Sequence, residues 1–211
     1  MADAQTQLTS DEPAEPALPV PRVGKPLTLT IFGATGDLTH RKLMPGLYAM
    51  YTEGLLPDEF AVIGYARREY DDESFRAWMA TSIEEFSRVD VDRETLIAFC
   101  SKLYYHRADL DDDEGYIRFR ERLSQTHLFP RNHLFYLSVA PDYFQRVISG
   151  LARVGLVRSP YDEVYSRVVI EKPFGRDLES ARRLNAEIRT CLDETQIFRI
   201  DHYLGKETVQ N

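Results

Sequence analysis

Cysteine is nearly absent from this sequence. The 211 residues contain two, Cys100 and Cys191. That is too few for a disulfide framework or a four-cysteine zinc site. Both are expected to be buried thiols in a reducing cytoplasm, and no metal site is expected. Long apolar runs are missing too. None approaches the roughly 18 residues that span a bilayer, so no membrane partner is expected. Positive charge is in deficit: 26 Lys and Arg against 34 Asp and Glu give a net charge of −8. That balance disfavours nucleic acid and anionic membranes as partners. The N-terminus lacks the basic-then-apolar pattern of a secretory signal. Secreted, fibrous and membrane classes are thereby set aside. What is left is a chain long enough for one domain, or one domain plus a piece of another, with its own core.

The chain opens with a tail. Residues 1–26 carry Pro13, Pro16, Pro19, Pro21 and Pro26, several acids and almost no large apolar side chains. Such a stretch cannot bury enough surface to offset its ordering entropy, so disorder is expected. From Leu27 the pattern changes to short apolar runs of strand length: 27–32, 60–66, 102–106, 133–139, 164–170 and 196–200. Amphipathic helical segments lie between them at 38–51, 71–87, 92–100, 111–125, 142–151 and 177–191. Pro45 falls inside the first helical pattern, so that helix is expected to start late or kink. Alternating buried strands and helices predict an α/β fold with a doubly wound, mostly parallel sheet over residues 27–200. Ligands bind such a sheet at the carboxyl ends of its strands. The residues to read for function are therefore 33–39, 66–68, 138–141, 171–175 and 201–206.

The first of these turns reads Gly33-Ala34-Thr35-Gly36-Asp37-Leu38. Glycines between a strand and a helix allow a tight turn and let backbone N–H groups approach a pyrophosphate. The pattern is G-x-x-G rather than the longer dinucleotide fingerprint, so alone it is a weak signal. After the second strand, an NAD site usually carries an acid for the ribose 2′-hydroxyl. Here Arg67 and Arg68 come first, and arginine suits a 2′-phosphate. NADP is expected over NAD. Lys172, in Glu171-Lys172-Pro173-Phe174-Gly175, sits where it can reach into the cleft. The last turn gathers Asp201, His202, Tyr203 and Lys206: the last three supply donors for a phosphate ester, and Asp201 can orient another imidazole.

The segments IFGATGDLTHRKL, VIEKPFGRDL and RIDHYLGKETVQN, in this order, closely resemble glucose-6-phosphate dehydrogenases, and FYLSVAP at 135–141 is similar as well. The resemblance runs from about Leu27 to Asn211. It implies a Rossmann-type coenzyme domain and places Gly33, Thr35, Gly36, Asp37 and Leu38 in the coenzyme fingerprint. It gives Arg67 the 2′-phosphate of NADP, and Lys172 contacts to both substrate and coenzyme. Pro173 matches a proline that can adopt a cis peptide. His202, Tyr203 and Lys206 match the binders of glucose 6-phosphate, and Asp201 matches the carboxylate that pairs with the general base. The implied reaction oxidises glucose 6-phosphate at C1 to the lactone with reduction of NADP, in the oxidative pentose phosphate pathway of the cytoplasm. A homo-oligomer is implied for the full-length protein.

The departure from the family concerns the base. In the family it is a histidine well beyond RIDHYLGKE, in a second, α+β domain, and none of the five histidines here stands in that context. Residues 201–211 read as the first residues of that second domain, and the chain is expected to be inactive by itself. Two other readings stay open. One is a non-catalytic NADP-binding module, and the other is a sugar dehydrogenase of a different family.

Overall fold

The computed structural model describes residues 24–172, 174 and 177–201. Among them, six strands form one sheet: β1 (Leu27–Phe32), β2 (Phe60–Ala66), β3 (Leu103–Arg107), β4 (His133–Leu137), β5 (Ser166–Glu171) and β6 (Ile197–Ile200). The order across the sheet is β3-β2-β1-β4-β5-β6, and every pairing is parallel. The helices are α1 (Met44–Thr52), α2 (Asp72–Phe86), α3 (Arg93–Cys100), α4 (Asp113–Leu123), α5 (Phe144–Arg153) and α6 (Leu178–Ile188). None of the described helices is long and apolar enough to cross a membrane.

The doubly wound sheet is as the sequence predicts, and burial explains it. Every residue of β2 is buried, as a strand covered on both faces requires. One core unites Phe32, Ile63, Tyr65, Phe135, Leu137, Val168 and Ile170 with α4 and α5. The other joins Leu29, Ile31 and Val62 to α1, α2 and α3. Tyr65 anchors the first core, 4.7 Å from the ring of Phe32 and edge-on to Phe119 at 5.4 Å. Such aromatic pairs each contribute about 0.5–1.5 kcal/mol beyond area burial. Helix starts follow short polar signals. Asp71 accepts from Ser74 N at 2.8 Å to open α2, and Asp177 accepts from Ser180 N at 2.7 Å to open α6.

Several boundaries differ from expectation. The helix expected over 38–51 divides at Pro45: Thr39–Leu43 form a π-helical turn, and α1 begins at Met44. Proline has no N–H to give to the preceding turn, so the ladder re-registers there. The segment expected to be helical from Asp142 opens as a 3-10 turn, Pro141–Tyr143, before α5. β5 runs one residue past its expected end and takes in Glu171. Cys100 is buried, whereas Cys191 is only partly so. Pro26, read as part of the tail, accepts a bond from Asn132 Nδ2 at 2.9 Å. Residues 1–23 of the expected tail lie outside the described residues. So does the expected start of a second domain, apart from Asp201.

At the β3 edge the outward backbone groups meet side chains instead of another strand. Arg76 Nε donates to Leu103 O at 2.7 Å. Asp72 Oδ1 accepts from Tyr105 N at 2.6 Å, and Arg122 Nη1 donates to Tyr105 O at 2.7 Å. Arg122 also holds Asp72 in a forked ion pair at 2.7 Å. The three groups so capped are withdrawn from pairing with a further strand.

Two buried histidines set an acid limit on the fold. Burial pushes the pKa values of His106 and His133 down to about 4. Both are held neutral in the folded state, and unfolding restores the ordinary value near 6.5. Their stabilising contribution is therefore full above pH 6.5 and is lost as pH falls from there towards 4. The loss is on the order of 3 kcal/mol for each. Urea denaturation at pH 7 and pH 4.5 should show this decline, and His106→Gln should remove about half of it. Equal stability at the two pH values would contradict the assignment.

Candidate active site

Between β1 and β4 the strand order reverses, and a groove opens at the carboxyl ends of the strands. A first lobe of about 340 Å³ is lined by Gly33, Thr35, Gly36, Arg67, Arg68, Asp109, Leu110 and Tyr143, among others. A second of about 290 Å³ is lined by Gly36, Asp37, Leu38, Pro141, Glu171 and Lys172, among others. The two lobes share Gly36 and Ser138–Ala140, so they form one continuous cleft.

The floor is the turn after β1. Gly33 has φ +81°, a conformation that favours glycine. A Cβ there would also lie 2.2 Å from Ser138 O and 2.8 Å from Val139 Cγ1. Gly33 N donates to Tyr65 O at 3.0 Å, and Gly36 N closes the turn on Gly33 O at 2.9 Å. Helical backbone starts at Asp37. Directly behind the turn, Gly64 on β2 leaves room for Ala34, whose Cβ would stand 2.8 Å from a Cβ at that position.

Arg67 and Arg68 are exposed on the rim of the first lobe. Their turn is fastened from below by the Tyr105 hydroxyl, 2.8 Å from Arg68 O and 3.1 Å from Ala66 O. Glu69, the first acid after β2, is engaged with Arg107 at 2.5 Å. Tyr70 stacks on Trp78 at 5.3 Å.

In the second lobe Lys172 Nζ lies 3.3 Å from Asp201 Oδ2, and Lys172 N donates to Ile200 O at 3.1 Å. The Tyr136 hydroxyl donates a short hydrogen bond to Glu171. Burial first, and then the Glu171 carboxylate, push the Tyr136 pKa well above its ordinary value.

The sequence-predicted residues Gly33, Thr35, Gly36, Asp37, Leu38, Arg67 and Lys172 thus converge on one groove. Asp201, expected to orient a general base absent from this chain, is paired with Lys172. His202, Tyr203 and Lys206, with Pro173 and Gly175, lie outside the described residues. The sequence reading missed Asp109, Leu110 and Tyr143. The first two follow β3, a strand end omitted from the residues chosen for close reading, and the rule of strand carboxyl ends would have found them.

Comparison with known proteins matches residues 30–211 to the family model "Glucose-6-phosphate dehydrogenase, NAD binding domain". A glucose-6-phosphate 1-dehydrogenase of Chlamydia pneumoniae is 46% identical over 196 residues, covering 90% of this chain and 38% of the relative. One of Bacillus subtilis is 42% identical over 186 residues, covering 87% and 36%. A solved glucose-6-phosphate dehydrogenase in complex with its substrate glucose 6-phosphate superposes with a TM-score of 0.73 at 35% identity, covering 91% of this chain and 40% of that one. The enzyme from Mycobacterium avium gives 0.74 at 33% identity, covering 89% and 38%. The chain therefore spans less than half the length of these relatives.

The Gly33 turn yields a direct test. Gly54 also has positive φ, but a Cβ there meets open space. Gly54→Ala should cost about 1–2 kcal/mol, the left-handed penalty alone. Gly33→Ala should cost roughly 2–4 kcal/mol, because the clash with Ser138 adds an overpacking term. Equal costs in chemical denaturation would contradict the close approach.

Proposed function

The chain belongs to the glucose-6-phosphate dehydrogenase family, and from that premise we propose that it supplies the NADP-binding part of an enzyme oxidising glucose 6-phosphate. The observation that carries the proposal is the pair Arg67 and Arg68 standing on the same groove as the Gly33–Gly36 turn.

The donor set fits the coenzyme. The turn brings backbone close through Gly33 and Gly36, with Thr35 beside them, next to a helical N-terminus whose partial positive charge favours a pyrophosphate. Arg67 offers a planar fork to the 2′-phosphate, which NAD lacks. A nicotinamide coenzyme held here would supply the hydride acceptor for oxidation at C1 of the sugar phosphate. Lys172, aligned by Asp201 in the second lobe, donates to a substrate hydroxyl and orients it. By family resemblance, His202, Tyr203 and Lys206 take the phosphate of glucose 6-phosphate, and Asp201 orients the base that removes the C1 hydroxyl proton. None of the four described histidines lines the groove, and that proton acceptor is not assigned to them. The enzyme is proposed to act in the cytoplasm as a homo-oligomer, in the oxidative pentose phosphate pathway.

Coenzyme titration tests the first half of the reading. Arg67→Ala should weaken NADP binding by roughly ten- to a hundredfold, the loss of one charged hydrogen-bond partner, and leave NAD little changed. Equal losses for both coenzymes would refute the assignment.

The second half is tested by NADPH absorbance with glucose 6-phosphate. The 211-residue chain alone should produce no measurable NADPH, since general-base catalysis supplies about 10²–10⁴ in rate. Joined in frame to the part of the Bacillus subtilis relative beyond the matched segment, it should turn over glucose 6-phosphate and not free glucose. A chimera that binds NADP and leaves glucose 6-phosphate unoxidised would favour the non-catalytic coenzyme module.

A further inference from the structure

The cleft-side turn of Arg67 and the outer edge of the sheet are joined through one side chain. We propose that Tyr105 is the positioning residue for coenzyme discrimination, holding the 66–68 turn so that Arg67 is presented in place to a 2′-phosphate. The proposal rests on the reading that Arg67 meets that phosphate.

Tyr105 lies in the middle of β3, 2% exposed. Its hydroxyl is 2.8 Å from Arg68 O and 3.1 Å from Ala66 O, so it bridges the residues on either side of Arg67. One proton serves one carbonyl at a time, and Arg68 O is the nearer. Burial pushes the Tyr105 hydroxyl up to about 12, so it stays a donor throughout the physiological range.

Tyr105 is itself fixed on the other side. Asp72 accepts from its N–H at 2.6 Å, and Arg122 donates to its C=O at 2.7 Å. Asp72 and Arg122 are further tied to one another. An edge residue whose two outward backbone groups are both held by charged side chains has little freedom to shift along the strand. The route runs from Arg122 and Asp72, through the backbone of Tyr105, to its hydroxyl and the Arg67 turn.

Neither carbonyl depends on the hydroxyl for satisfaction. Ala66 O also accepts from Ala108 N at 3.1 Å, and Arg68 O from Tyr70 N at 3.1 Å. Removing the hydroxyl therefore orphans no acceptor. It loosens the turn without exacting the penalty of a buried unpaired group.

The test is Tyr105→Phe in the 211-residue chain, titrated with NADP, NAD, 2′,5′-ADP and 5′-ADP, with a thermal melt as control. NADP and 2′,5′-ADP should weaken by roughly three- to tenfold, the loss of one ordinary hydrogen bond, while NAD and 5′-ADP stay unchanged. The melt should show the folded protein retained. In an Arg67→Ala background the same substitution should produce no further loss. Arg122→Gln, acting from the far end of the route, should give a smaller loss of the same 2′-phosphate-specific kind. Equal weakening of all four ligands, or an undiminished effect in the Arg67→Ala background, would overturn the positioning role. If Arg67→Ala alone leaves NADP binding intact, the coenzyme reading fails first and the proposal falls with it.

Discussion

The missing side chain of Gly33 is the constraint on which the cleft depends. With φ +81° and the Ser138 carbonyl 2.2 Å from where a Cβ would stand, only glycine lets the end of β1 press against the end of β4. That contact sits where the sheet order reverses, between β1 and β4. The turn can then close on itself through Gly36 and hand the chain to helical backbone at Asp37. Gly64 serves the same end one layer back, by admitting Ala34 and the Phe75 ring. Small residues at the crossing thus create the space, and larger ones line its walls.

Charge is arranged around that space at two distances. Close in, Arg67, Arg68 and Lys172 line a cleft whose floor is the Gly33–Gly36 turn. Farther out, Arg76, Arg122 and Asp72 spend their hydrogen bonds on the β3 edge. The second set does more than seal an edge. By fixing β3 it steadies a strand that contributes Tyr105 beneath one wall of the cleft. Two acids near this rim, Glu69 and Asp72, are engaged with arginines.

The sequence made the sheet legible because short strand-length runs alternate with amphipathic helical segments, most plainly at β2, whose every residue is buried. The Gly33–Gly36 turn and Arg67 could be placed from chain order alone, since each directly follows a strand. Spatial neighbours across the sheet could not. Asp109 and Leu110 follow β3 in the chain and were open to the same rule, but which lobe they line depends on β3 lying beside β2. The pairing of Lys172 with Asp201 depends likewise on β5 lying beside β6. Pro45 announces a late start or kink in the first helix, but the contacts of His40 in the π-helical turn with Ser82 and Trp78 of α2 could not be read from the pattern. The roles of His202, Tyr203 and Lys206 came from family motifs, and those residues lie outside the described part of the chain.

Amide hydrogen exchange with and without saturating NADP tests the account most directly, because it reads the whole cleft at once. The account predicts that residues 33–38, 66–69 and 138–143 slow together on addition of NADP. It also predicts that NAD protects 33–38 while leaving 66–69 nearly unaffected. Protection by NADP that bypasses 66–69, or equal protection of that turn by both coenzymes, would contradict it.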